Sequence, residues 1–266
     1  TAEILANFEA IRTFLSRVVD DHRRDFDGVN ANDFTDVYLM EINNNRAKAE
    51  AGGGQNHLTE RNFVGTVANL FAAGSETTAT TLQWCFLYMA AYPDVQRRVQ
   101  DEIDAVVGRN RLPRMADKPE LNLTRAVIWE VQRIAVVTPM ALPHAAGADA
   151  TVGGYRVPRG TIVLANFWAV FRDPKLWPEP EAFRPERFLD GEGRAVKREE
   201  LIPFSTGRRT CIGEHLAKME LLLFFTHFLH QFTFQKPDGA PPYTLDALVG
   251  LTHYPAPFEI CAVPRD

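Results

Sequence analysis

Residues 203–220 read PFSTGRRTCIGEHLAKME, and they set two glycines, two adjacent arginines and one cysteine in a short loop that runs straight into an apolar helical segment. Gly207 and Gly213 allow close backbone approach and positive φ. Arg208, Arg209 and the start of a helix favour a thiolate over a thiol at Cys211, by charge and by helix dipole. A sulfur anion serves as a nucleophile or as a metal ligand. A nucleophile needs a histidine base, and His215 stands one turn on. A structural zinc site would need about three further Cys or His ligands at short spacing, and none are there. The other cysteines, Cys85 in LQWCFLYM and Cys261 in PFEICAVP, read as small buried hydrophobes.

Helices must position this loop. In residues 1–24 apolar side chains recur three and four apart, and FDGVNAND then stops the helix. A second helix starts after Asn32 or Asp33. The glycine-rich KAEAGGGQN reads as a surface connector. Thr59 caps a long helix reaching Tyr92, Pro93 opens the next with Gly108 at its end, and another covers about residues 122–134. After Thr138, ATVGGYRVPRGTIVLANF alternates apolar and polar residues around Gly-Gly and Pro-Arg-Gly turns, the pattern of short strands with a hairpin. Residues 172–200 read as irregular, Cys211 leads a helix to about His230, and the tail reads as strands between proline turns.

Composition narrows the function further. The 266 residues are 45% hydrophobic, which is normal for a globular core. A net charge of −5 disfavours binding to nucleic acid. Three distant cysteines imply no disulfide framework and a reducing compartment or cytosolic face. The opening TAEILANFEAIRTFL carries neither the basic nor the apolar region of a targeting segment. The longest charge-free runs, 63–75 and 77–92, fall short of a bilayer span.

Phe204-Ser-Thr-Gly207-Arg-Arg209-Thr-Cys211-Ile-Gly213 resembles the cysteine-ligand loop of the cytochrome P-450 haem-thiolate monooxygenases and fits F-x-x-G-x-R-x-C-x-G at every fixed position. The resemblance implies haem b with Cys211 as axial thiolate, Phe204 shielding the sulfur and Arg209 meeting a haem propionate. AAGSETT, residues 72–78, resembles the centre of the family's long distal helix. That implies Ala73 beside the haem and Glu76 and Thr77 serving oxygen activation through a proton relay. Gly74 and these polar residues in an apolar run suggest a local helix distortion that frees a carbonyl. EVQR, residues 130–133, and PEAFRPERF, residues 180–188, match the family's E-x-x-R and P-x-x-F-x-P-x-R-F, implying a structural triad of Glu130, Arg133 and Arg187. ALPHAAGADATVGGYRVPRGT, residues 141–161, is similar to the animal microsomal branch, where His144 would contact a propionate. Leu142 and Leu251 would line the substrate pocket. The remaining histidines read as surface or packing residues.

The resemblance therefore implies a mainly α fold with small β-sheets, the C-terminal, haem-binding half of one P-450 domain spanning 1–266. The implied activity is hydroxylation or epoxidation of a small lipophilic substrate with dioxygen. NADPH-cytochrome P-450 reductase would supply electrons, with cytochrome b5 as an optional second donor. The implied place is the cytosolic face of the endoplasmic reticulum membrane, reached through the family's N-terminal half. Three alternatives stand beside this reading: a haem-thiolate peroxide isomerase, a truncated chain without stable haem binding, and a Cys-His hydrolase.

Overall fold

The three-and-four spacing at the start of the chain forms α1 (Ala2–Asp25), and a turn then leads to α2 (Phe34–Glu50). Asp27 tightens that turn by accepting from the backbone N–H groups of Val29 and Asn30, both at 2.8 Å. Asp33 caps α2 by accepting from the N–H groups of Thr35 (2.8 Å) and Asp36 (3.0 Å). His22, in the last turn of α1, bridges Asp33 (3.4 Å) and Asp36 (3.0 Å). Thr59 Oγ1 accepts from Asn62 N–H at 3.2 Å, and α3 (Glu60–Ala91) begins there.

The computed structural model describes residues 2–50 and 58–265. These form two compact units, Thr1–Glu76 and Thr77–Asp266. Most of the glycine-rich connector lies outside the described residues. The first unit buries Val19, Leu39, Ile42 and Phe63 together, with the Tyr38 ring stacked on Phe63 at 4.4 Å.

The expected helix distortion around Gly74 does not occur: α3 is α-helical throughout its length. One glycine costs about 1 kcal/mol, too little to break a helix whose later turns fully bury Leu87, Met89 and Cys85. The Thr81 hydroxyl donates to the Thr77 carbonyl at 2.8 Å, so this carbonyl carries a side-chain donor.

In the second unit, α4 (Pro93–Val107) starts on its proline and stops at Gly108, whose φ is 74°. Next comes α5 (Asn122–Ala135), which ends at Val136 in the left-handed region. The short strands follow: β1 (His144–Ala145), β2 (Ala150–Val152), β3 (Tyr155–Val157) and β4 (Ile162–Val163). The sequence did not suggest α6 (Phe167–Arg172). Its aromatic and β-branched residues hide it among strands, but Asn166 caps it by accepting from Ala169 N–H at 2.9 Å. The chain closes with α7 (Glu214–Gln231), β5 (Phe232–Gln235), β6 (Ala247–Val249), β7 (His253–Pro255) and β8 (Cys261–Pro264). All pairings among the described strands are antiparallel and two-stranded: β1 with β4, β2 with β3, β5 with β8, and β6 with β7.

α5 is the centre of this unit. Val127 and Val131 belong to a core shared with α3, α4 and α7. Ala126 belongs to a second core with Phe171, Trp177, Phe188 and Leu201. A helix buried on both sides has no solvated face for its polar residues, which must then find partners inside the protein. Gln96 and Gln100 of α4 likewise bond the backbone of β5, Gln96 as both donor and acceptor to Phe234 at 2.7 Å.

Cys85 is buried, but Cys261 is exposed, contrary to the expectation for both. Its strand β8 pairs on one edge only, and all four of its residues face solvent. Among the described residues, no helix is long and apolar enough to cross a membrane.

Candidate functional site

The Cys211 loop is built by its own backbone. The N–H of Cys211 donates to the carbonyl of Phe204 at 2.9 Å, and the Thr210 hydroxyl donates to the same oxygen at 3.3 Å. Closing this ring requires positive φ at Gly207 (76°), which costs glycine little, and at Ser205 (62°). A single 3-10 turn, Gly207–Arg209, fills it. Glu214 N–H donates to the Cys211 carbonyl at 3.3 Å as α7 begins, so the thiol stands just ahead of a helix N-terminus, where an anion is favoured. A Cβ added at Gly213 would sit 3.9 Å from the Cys211 sulfur, in ordinary contact, so glycine keeps the flank of the sulfur open.

The thiol is exposed, as are Arg209 and, on β1, His144. Apolar side chains that normally seek burial are bare in this loop, just before β1 and in the turn between β6 and β7: Ile212 is 90% exposed, Leu142 71% and Leu251 82%. One exposed cysteine sulfur, two side chains able to meet carboxylates, and uncovered apolar surface are a donor set whose chemistry fits a haem with propionates.

Glu130 and Arg133 are wholly buried. Arg133 Nε and Nη2 both donate to the Glu130 carboxylate at 2.8 Å, while Nη1 donates to the carbonyls of Phe171 (2.9 Å) and Pro180 (2.8 Å). Arg187 Nε donates to Glu130 at 3.2 Å and Arg184 N–H does so at 2.9 Å. Arg187 also bonds the carbonyls of Pro178 and Glu179. One carboxylate thus gathers three arginine residues and locks residues 178–187 onto α5. The next residue, Phe188, shares a buried core with Leu201, two residues before the loop.

The structure joins Glu130, Arg133 and Arg187 in one cluster, and Phe204 and Cys211 in one loop. Ala73 and Glu76 belong to the first unit and are exposed, and Thr77, half-buried, begins the second. Leu142 precedes β1, and Leu251 sits in the turn between β6 and β7. His215 is exposed at the second position of α7.

Two contributors escaped the sequence reading. Lys218 lies 5.7 Å over the Phe204 ring and pairs with Glu214 at 2.5 Å. Its hydrogen bond holds the Glu214 carboxyl below the usual carboxylate range. The four-residue spacing of Glu214 and Lys218 was the available signal. Trp177 is fully buried, and its ring meets the guanidinium groups of both Arg133 (5.6 Å) and Arg198 (4.5 Å). No local pattern announces that pairing.

The family model for cytochrome P450 matches residues 2–262. The chain is 42% identical to human (Homo sapiens) cytochrome P450 2U1 over 94% of its own length and 45% of the relative's. It is 39% identical to human cytochrome P450 2J2 over 98% and 51% of the two chains, and 46% identical to cytochrome P450 2D14 of Bos taurus over 87% and 45%. The chain spans about half the length of the curated relatives it matches. With the cysteine loop, the buried triad and a match along nearly the whole sequence in agreement, the chain belongs to the cytochrome P450 family.

Proposed function

We propose that the whole protein is a haem-thiolate monooxygenase that hydroxylates or epoxidises a small lipophilic organic substrate. The observation that carries this reading is the exposed Cys211 thiol, held by the Phe204 carbonyl ring immediately ahead of α7. When bound, haem b supplies activation of dioxygen and its transfer to substrate. The chain supplies what surrounds that chemistry.

Cys211 would hold the haem iron through its sulfur. Phe204 shields the sulfur, and Gly207 and Gly213 let the backbone approach it. Arg209 and His144 would hold its propionates, and the roles proposed for the long distal helix are contact with the haem at Ala73 and proton relay at Thr77 and Glu76. Glu130, Arg133 and Arg187 position the loop without touching substrate. Leu142 and Leu251 are pocket walls, which their exposure supports. Electrons come from NADPH-cytochrome P-450 reductase, with cytochrome b5 as a second donor. The protein works at the endoplasmic reticulum membrane, on its cytosolic side.

The test is Cys211→Ala in the whole protein, with Cys85→Ala and Cys261→Ala as controls. The reduced protein is treated with carbon monoxide and scanned for the band of thiolate-ligated haem. Loss of that band in Cys211→Ala alone is expected. A thiolate band that survives in Cys211→Ala overturns the assignment.

A further inference from the structure

The tip of the β6–β7 hairpin is shaped by its own backbone. Val249 pairs with His253, and between them Gly250 N–H donates to the Thr252 carbonyl at 3.0 Å. A Cβ added at Gly250 would meet Tyr254 Cε1 at 3.3 Å and the Thr252 carbonyl oxygen at 3.4 Å, so the turn closes around a glycine. Thr252 and His253 are buried, while Leu251 is exposed. Where Leu251 stands in the protein therefore depends on where the hairpin as a whole is held.

Two hydrogen bonds at His253 hold it. The His253 N–H donates to the carbonyl of Val137, two residues beyond α5, at 2.8 Å. The His253 carbonyl accepts from the Trp84 indole N–H of α3 at 3.0 Å. Trp84 is 1% exposed, so this N–H cannot turn to bulk water, and a buried donor without a partner is costly. A one-residue slip of β7 would bring up a carbonyl that points to the opposite edge of the strand and would leave the donor unpaired. Side-chain packing leaves the hairpin room to shift: Trp84, Val249 and His253 line a cavity of about 500 Å³ around Arg172, so the space between hairpin and helix is only partly filled. Directional bonds fix what these contacts leave loose.

The clamp is also aligned with the residue given the proton relay. Trp84 follows Thr77 by seven residues, about two turns of the uninterrupted α3, so both lie on one face of the helix, about 10 Å apart along its axis. The hairpin is thus fastened to the face of α3 that carries Thr77.

We infer that Trp84 is a positioning residue for substrate selection: by donating to the His253 carbonyl it fixes the β6–β7 hairpin on α3 and so holds Leu251 at the wall of the pocket. The inference rests on the reading of Leu251 as a pocket wall and concerns ligands long enough to reach it. The experiment titrates the whole, haem-loaded protein with imidazole, which carries no chain, and with 1-octylimidazole, and follows nitrogen ligation by the shift of the visible spectrum. Trp84→Phe keeps an aromatic ring and loses the N–H. It should weaken 1-octylimidazole by about fivefold, the ratio to which one typical hydrogen bond corresponds, and leave imidazole unchanged. Leu251→Ala should also weaken the octyl ligand, and Trp84→Phe should add nothing further in that background, because it acts through Leu251. Exchange of the backbone amides of residues 247–255, read by mass spectrometry, should quicken in Trp84→Phe. Should Trp84→Phe not fold, 3-benzothienylalanine at position 84, which keeps the two-ring shape and puts sulfur in place of the N–H, replaces it in every comparison. Equal weakening of both ligands would mean a merely structural role, and strictly additive losses would mean that Trp84 does not act through Leu251. Either result overturns the inference, as does unchanged amide exchange, or an octyl affinity that falls in Leu251→Ala but not in Trp84→Phe. No spectral shift with imidazole, or native octyl affinity in Leu251→Ala, would refute the reading on which the inference rests, and the inference with it.

Discussion

Replacing Arg133 with methionine removes the most heavily bonded side chain of the buried triad while roughly keeping its apolar bulk. The Glu130 carboxylate, at 0% exposure, loses both 2.8 Å donors and keeps only Arg187 Nε and Arg184 N–H. The carbonyls of Phe171 and Pro180 lose the Nη1 donor, and the Trp177 ring loses one of its two nearby cations. Each stranded polar group costs about 1–3 kcal/mol, and such costs do not add fully. Breaking a buried ion pair by removing one partner costs about 3–5 kcal/mol in all. Against a typical stability of about 5–15 kcal/mol, that is roughly a fifth of the total or more. With a urea slope of about 2 kcal/mol per M, the unfolding midpoint should fall by roughly 2 M. Far-UV circular dichroism in urea measures it. Glu130→Met combined with Arg133→Met loses the two hydrogen bonds between these residues only once, so the double variant should be less destabilised than the sum of the two single ones. A loss under about 1 kcal/mol for Arg133→Met, or strict additivity in the double variant, would refute the reasoning that the pair bonds across a dry interior.

Iodoacetamide should label Cys211 and Cys261 in the native chain and spare Cys85, which is buried and whose thiol burial pushes up; mass spectrometry that finds Cys85 labelled before unfolding would contradict the packing of α3. The Asp117 carboxyl is held below the usual range chiefly by two Arg111 hydrogen bonds, both 2.7 Å. Its contribution is complete above the unfolded value near pH 4 and disappears as pH falls through the lower folded value. Between about pH 5 and pH 2, Tm should therefore drop further in wild type than in Asp117→Asn, and parallel curves would exclude this linkage. Glu102 reaches from α4 to accept from the N–H groups of Leu123 (2.7 Å) and Thr124 (2.8 Å), capping α5. Glu102→Ala should lower stability by about 1 kcal/mol or slightly more in the same urea assay, and no change would remove it as a cap. In the whole protein, Thr77→Ala should keep haem and substrate binding while lowering product formed per reductant consumed; an unchanged ratio would take Thr77 out of the proton relay.

Local rules reached much of the architecture because they act over a few residues. Thr59, Asp33, Pro93 and Gly108 mark helix ends through hydrogen bonds and φ preferences that involve only near neighbours. The Cys211 loop was equally legible, since its ring closes between residues seven apart, Phe204 and Cys211, and the glycine it requires lies between them. The i, i+3 spacing also made Glu130 and Arg133 a natural pair. Their total burial was not in that spacing. It arises because α5 is covered on both sides by cores assembled from segments distant in sequence, among them Phe171, Trp177, Phe225 and Phe234. Other outcomes depended on the same long-range packing. Cys261 has a buried residue's composition around it, yet its strand finds a partner on one edge only and its side chain stays wet. α6 is helical despite strand-like residues because Asn166 caps it and Phe167 and Phe171 are drawn into the second core. The cavity around Arg172 joins α3, α5, α6 and the β6–β7 hairpin, elements as far apart in sequence as Trp84 and His253, which meet where the Trp84 indole N–H donates to the His253 carbonyl at 3.0 Å. Periodicity and capping report what a segment prefers; only the packed interior decides which polar atoms lose water and which of those lack a partner.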